Sequence, residues 1–335
     1  MTATEPTAPH PGKPERVDRN LRKTAVAGIR YLLLILVLVA AGYALAVNWG
    51  PVSATLASLQ IQRLIPSFLA LLGGIGAATM SWQVLVDDFG TPIGVGRGAQ
   101  IFLVGQLGKY LPGSVWAYLL QIELGSKAGL ARARVFAASF FSIGVALVAA
   151  LLTGALALTE LISRNPSLQA LAWLYLLLPV GLIMLHPKVL TRLVLIGFRI
   201  LCRPRLDHPV SGLTVAKSLG WAVLSYVSYG VHLWLLADTR TGLSIGPLAL
   251  SIGTMGIALI SGLFAFFLPS GVGARELVIV TAITPLVGVG PAIAYAAVSR
   301  LLFTVADLAS AGVAALLGVL ARRRRGQYHG DPGID

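Results

Sequence analysis

Long apolar runs separated by short basic stretches set the pattern of this chain. A helix needs about 20 mostly apolar residues to cross a bilayer. Ile29–Val47, Pro66–Val86, Val135–Thr159, Leu168–Leu185, Leu219–Ala237 and Ala292–Leu320 meet that length and give six predicted spans. The last is longer than a bilayer requires and is expected to tilt or protrude. Two further runs are apolar but interrupted. Gly98–Leu124 contains Gly105-Gln106-Leu107-Gly108-Lys109-Tyr110-Leu111-Pro112-Gly113-Ser114. Pro247–Pro285 contains Phe267-Leu268-Pro269-Ser270-Gly271-Val272-Gly273-Ala274-Arg275-Glu276. Proline lacks the N–H of the helical ladder and clashes with the preceding turn. Glycine frees the backbone at the same place. Each interrupted run is therefore predicted to be two short helices joined by a non-helical link.

Charge orients these elements. Arg16, Arg19, Arg22 and Lys23 precede the first run, and Arg322–Arg325 follow the last. Cations gather on the cytoplasmic side of membrane spans, so both termini are expected there. The first span leads out and the second returns, leaving Asp87, Asp88 and Arg97 inside. The first interrupted run is followed by Lys127, Arg132 and Arg134, so it starts and ends inside. The third and fourth spans lead to the most basic loop, with Lys188, Arg192, Arg199, Arg203, Arg205 and Lys217. The fifth span leads out, so the second interrupted run starts and ends outside.

Two similar broken segments of opposite orientation are the mark of inverted repeats in transporters. The expected fold is all-α, a polytopic membrane helix bundle of about six full spans plus two broken or re-entrant hairpins arranged as inverted repeats. Charge parity leaves one alternative open, that each hairpin is a pair of full spans. Within Leu185–Lys217, Val189, Leu193, Ile196 and Ile200 recur at helical spacing. They suit either a helix lying in the interface or an extension of the fourth span. Val52–Leu64 is a weaker interfacial candidate on the outer side.

Composition supports the bundle. Only 12% of the 335 residues are charged, against 56% hydrophobic, and a soluble domain carries about 25% charged residues. The predicted organisation is a disordered tail at 1–22, a transmembrane domain at 23–321 and a basic tail at 322–335. The first tail holds Pro6, Pro9, Pro11 and Pro14 and does not read as a cleavable signal peptide. The net charge of +13 flanks apolar runs, which is the placement of headgroup contacts, not of nucleic-acid binding. Cys202 is the one cysteine, and the five histidines are scattered, so no metal or cofactor is expected.

Non-helical backbone at membrane depth is tolerated where protein or a watery cavity shields it. Pro112, Gly113, Ser114, Pro269, Ser270, Gly271 and Gly273 are therefore expected to line a cavity, where free N–H groups suit an anion. Charges at that depth are costly, so they face the interior and pair. Lys109 and Arg275 are the candidates for gripping a phosphate or other anionic headgroup. Glu276 is a candidate to pair with a cation, to hold Arg275, or to carry a coupling proton. The competing reading is that these residues are solvated at the interface. Arg300 and Asp307 share a helix face about 10 Å apart, too far for a direct pair. Arg300 with Glu276 and Asp307 with Lys109 are the partners considered, and Arg300 can instead snorkel to the outer interface. Glu123 reads as interfacial. Gln83, Gln106 and Gln121 are candidate glue between helices.

The runs Gly105–Trp116 and Phe267–Glu276 resemble the two signature stretches of the lysylphosphatidylglycerol synthase transmembrane-region family, also called flippase-like. The resemblance covers about Arg22 to Arg325, and the second run is the more specific. It implies a flippase for a lipid between leaflets. The sequence ends about 15 residues after Leu320, so a stand-alone member lacking the synthase domain is expected. The resulting expectation is a cell-membrane lipid flippase for an anionic or phosphate-bearing lipid, phospholipid or polyprenyl-linked, and not an enzyme. The alternatives are a non-catalytic partner of a lipid-modifying enzyme or glycosyltransferase, and an intramembrane lipid-linked-sugar transferase using Glu276 or Asp307.

Overall fold

The computed structural model describes residues 46–111, 115–164, 175–186, 210–237, 245–265 and 271–328, with isolated positions at 43, 169, 173, 188, 189, 191 and 192. Among the described residues all regular structure is helical. The helices are α1 (Trp49–Ser58), α2 (Ile61–Asp88), α3 (Val95–Gln106), α4 (Val115–Lys127), α5 (Arg132–Arg164), α6 (Leu177–Leu185), α7 (Gly212–Ala237), α8 (Ile245–Phe264), α9 (Ala274–Val287) and α10 (Val289–Tyr328). A 3-10 turn, Leu107–Tyr110, ends α3. Five helices, α2, α5, α7, α8 and α10, are long and apolar enough to cross a membrane. The protein is an all-α, multi-pass membrane bundle.

A seam of small polar residues joins α2 to α7. Ser67, Gly74 and Ser81 recur every seventh residue in α2, as do Ser218, Ser225 and His232 in α7. The two sets meet in antiparallel order. Ser81 and Ser218 each donate to the other's carbonyl at 2.9 Å. Ser225 Oγ donates to the Gly74 carbonyl at 2.8 Å. Ser67 Oγ lies 2.8 Å from His232 Nδ1. Small side chains let the backbones approach, and the buried hydroxyls find partners that lipid does not offer.

α8 is clasped between α5 and α7. A Cβ on Gly230 of α7 would fall 2.3 Å from the Ile252 Cα, and one on Gly253 would fall 2.4 Å from both the Ala157 nitrogen and its Cβ. Any side chain at these two glycines must part the helices, because the atoms met include backbone. Gly253→Leu is expected to cost at least the usual overpacking penalty of about 1–3 kcal/mol. Heating detergent-solubilised protein before size-exclusion chromatography measures it, and an unchanged melting temperature would contradict this close approach.

The first interrupted run forms a hairpin of two short helices. α3 has 12 residues and α4 has 13, so each is about 18–20 Å long, well short of the roughly 30 Å hydrocarbon core. Gly105 and Gly108 let the arms close. A Cβ on Gly108 would lie 2.5 Å from the Ala117 nitrogen, and one on Gly105 would meet Gln121 Cγ at 2.4 Å. The hairpin starts beside the C-terminal half of α10, where a Cβ on Gly318 would meet the Gln100 amide at 2.3 Å. It ends at Asp307, near the midpoint of the 40-residue α10. This is a re-entrant geometry.

The second run is asymmetric. Its first arm, α8, has 20 residues, enough for the full 30 Å or so of the bilayer core. That corrects the expectation of two short helices, and α9, with 14 residues, is the short arm. The apolar stretch before Pro269 is unbroken for a full span, and the proline lies beyond it. α9 turns into α10 at Gly288, where φ is +90°, and runs back along it. Glu276 meets Arg300, and Arg275 meets Phe303. The two hairpins thus approach the middle of α10 from opposite ends.

Other boundaries shift modestly. α2 begins at Ile61 and carries Pro66 inside it, a turn earlier than the apolar run suggests. α10 continues as helix through 322–328. α1 packs on the start of α10, where a Cβ on Gly290 would fall 2.2 Å from the Pro51 Cβ. The run Ile29–Val47 lies almost wholly outside the described residues, as do the tail 1–22, the first half of Leu168–Leu185 and the positions Leu193, Ile196 and Ile200. Arg134 is structural: its Nε donates to the Val86 carbonyl at 2.9 Å and Nη2 to that of Thr91 at 2.6 Å. Glu123 is exposed and paired to Lys127 at 3.5 Å and Arg132 at 3.7 Å. Gln121 does bridge helices, since Ser139 donates to it at 2.6 Å and accepts from the Trp82 indole at 3.1 Å.

Candidate functional site

The 3-10 turn at the end of α3 aims two consecutive side chains at one carboxylate. Lys109 Nζ lies 2.6 Å from Asp307 Oδ2, and the Tyr110 hydroxyl donates to the same oxygen at 2.5 Å. Asp307 is 8% exposed. A lone carboxylate at this depth would be costly, and the ammonium and the phenol are the partners that offset that cost.

The second hairpin is built on glycine. Gly271 has φ of +65° and Gly273 has φ of +90°, values that a residue with a Cβ rarely adopts. A Cβ on Gly271 would also fall 2.5 Å from the Gly262 Cα. Gly273 opens α9, and its N–H donates to Glu276 Oε2 at 2.7 Å. The other oxygen of Glu276 accepts from Arg300 Nη1 at 3.2 Å. Glu276 therefore caps α9 and ties it to α10.

Arg275 is in a different position. It is 5% exposed, and its guanidinium carbon sits 3.7 Å from the centroid of the Phe303 ring. Nη2 has no hydrogen-bond partner among the described residues. Lys109 is matched by Asp307 and Arg300 by Glu276. These three cations and two carboxylates leave one positive charge, on Arg275, without a carboxylate in direct contact. A guanidinium shielded from water yet not hydrogen-bonded is a strong anion attractor, since low dielectric magnifies its field.

Beside the tip of the first hairpin lies a cavity of about 290 Å³. Its polar wall includes Ser81, Gln106, Lys109, Ser142, Tyr226 and Tyr229, and its floor includes Leu259 and Leu263 of α8. Lys109 is the one charged side chain on it among the described residues. Tyr229 also packs on Phe303, ring centroids 5.1 Å apart, so the cavity wall and the Arg275 platform share a ring stack.

Of the site residues expected from sequence, Lys109 faces the cavity, and Asp307, Glu276 and Arg300 form the two ion pairs considered. Arg300 is held by Glu276 and is not simply snorkelled. Gly271 and Gly273 form the turn into α9. Pro112, Gly113, Ser114, Pro269 and Ser270 lie outside the described residues. Sequence reasoning missed the tyrosine wall, Phe303 and His232. His232 is fully buried, with Nε2 3.0 Å from Ser299 Oγ and Nδ1 on Ser67, and so pins α2, α7 and α10 together. The seven-residue spacing of Ser218, Ser225 and His232 was the available signal. Among the described residues no group of three or more His, Cys, Asp or Glu is arranged to hold a metal. Comparison with family models, with curated proteins and with solved structures found no match to this chain.

Proposed function

We propose that the protein is a membrane flippase or transporter that moves an anionic or phosphate-bearing lipid between leaflets. The observation that carries this reading is the convergence of two oppositely directed hairpins at the middle of α10, beside a polar cavity holding Lys109. In this mechanism the headgroup enters the cavity, its negative charge held by Lys109 and by the field of Arg275, while the tail stays in lipid. Motion of the hairpin tips against α10 exposes the site to one leaflet and then the other. The two ion pairs give those tips definite resting positions, and the turn glycines Gly271 and Gly273 permit rearrangement. The likeness of the two glycine-proline runs to the flippase-like family points the same way.

Proteoliposomes holding labelled phosphatidylglycerol test this. Purified protein is expected to speed the exposure of inner-leaflet label to a membrane-impermeant quencher. Ser142→Trp should slow it about tenfold or more, a barrier of roughly 1.4 kcal/mol, because the indole fills the cavity. Ser142 suits the test because its hydroxyl bonds only the Ser139 carbonyl of its own helix, at 2.8 Å. No acceleration by the unaltered protein, or full speed in Ser142→Trp, would defeat the proposal.

A further inference from the structure

We infer that a lipid with an anionic headgroup loads into a cleft between α3 and α10, separate from the central cavity, before it is moved. This inference rests on the lipid-transport reading and names the place where the lipid waits. At the end of the bundle where α3 starts and α4 finishes lies a second, larger cavity of about 810 Å³. Arg97, Gln100 and Lys127 supply its polar wall, and Gly96, Leu317 and Gly318 its remainder. Arg97 forms no ion pair among the described residues. Lys127 has only the distant carboxylate of Glu123, at 3.5 Å. The charge distribution assigns this end to the cytoplasm.

The mouth opens into a groove of about 390 Å³ whose wall is almost wholly apolar. Leu72, Leu103, Ala309, Val313 and Leu317 line it. Gly96 and Leu317 border both spaces, so the two adjoin. A basic mouth leading into an apolar groove fits an amphiphile. A soluble anion would leave the groove unfilled, and a neutral hydrocarbon would leave the two cations unused. The groove runs along α10 from Leu317 to Ala309, next to Asp307, and so points the occupant at the hairpin tip.

Gly96 provides the test. A Cβ built there meets nothing within 4 Å, so a large side chain can stand in the junction without displacing backbone. The full chain in detergent is titrated with palmitoyl-oleoyl phosphatidylglycerol or phosphatidylcholine, and bound lipids are counted by native mass spectrometry. The unaltered protein is expected to retain phosphatidylglycerol preferentially. Gly96→Trp should weaken that binding about tenfold or more, and Arg97→Gln with Lys127→Gln should remove the preference. Inorganic phosphate at the same concentration should not displace the lipid. Unaltered binding in both variants, or displacement by phosphate, would overturn the site. So would cross-linking of Val313→Cys, in a Cys202→Ser background, to cysteines placed along Ile29–Val47, because the first apolar run would then fill the groove. The flipping assay on the same samples separates the two ideas. Selective binding lost in Gly96→Trp, with no flipping by any sample, keeps this site and removes transport. Flipping and binding both untouched by Gly96→Trp keep transport and remove this site.

Discussion

Replacing Arg275 with alanine is expected to reduce lipid flipping at least about tenfold while leaving a folded protein. Among the described residues the guanidinium makes no hydrogen bond that truncation would orphan. What is lost structurally is the stack on Phe303, worth up to about 2 kcal/mol when desolvated, and some packing volume. That is a moderate loss against the stability of a bundle this size. The functional loss is larger in kind. Arg275 is the cation in the cluster with no carboxylate bound to it, so its removal leaves Lys109–Asp307 and Arg300–Glu276 as two neutral pairs. The junction of the hairpin tips then offers an anionic headgroup no net attraction. Arg275→Lys should retain part of the rate, because the charge remains while the planar fork that stacks on Phe303 does not. Flipping at the original rate by Arg275→Ala, in protein shown to be folded by its melting curve, would refute the role.

The second large effect concerns stability. Asp307→Ala strands Lys109 and Tyr110 together. Breaking a fully buried ion pair costs about 3–5 kcal/mol. Lys109 is 29% exposed, so some solvent reaches it and the expected loss falls to about 2 kcal/mol. Adding Lys109→Met should recover most of that loss, since an apolar chain of similar length needs no counter-charge. Thermal unfolding of the two single variants and the double variant reads the coupling directly. Strictly additive losses would mean that the pair does not form in the membrane.

Much of this arrangement is legible in the sequence, for physical reasons. Apolar runs of bilayer length announce spans because lipid leaves the backbone no other partner. The glycine- and proline-containing interruptions mark hairpins because proline removes a donor from the helical ladder and glycine frees the backbone to leave it. Lys109 with Asp307, and Arg300 with Glu276, follow from the cost of an unpaired charge at depth. Other features are hidden for equally physical reasons. The adjacency of Arg275 and Glu276 suggests a pair, yet neighbours on a helix point about 100° apart. Glu276 turns to Gly273 and Arg300, while Arg275 turns to Phe303. The length of α8 is masked because Pro269 draws the eye to a break that lies past the end of a full span. The tyrosine wall is invisible because Tyr226 and Tyr229 of α7 meet Lys109 and Ser142 only after the bundle assembles. No local pattern distinguishes them from ordinary core aromatics.

The claim on which transport depends is that the first hairpin turns back at mid-membrane beside α10, having entered from the face opposite to the turn between α9 and α10. Site-directed spin labels at Leu111, Ala128 and Gly288, in a Cys202→Ser background, report depth through their collisions with oxygen and with a polar relaxation agent. The account predicts that Leu111 reads near the bilayer centre, and that Ala128 and Gly288 read at opposite interfaces. A Leu111 label at either interface, or Ala128 and Gly288 on the same face, would contradict it.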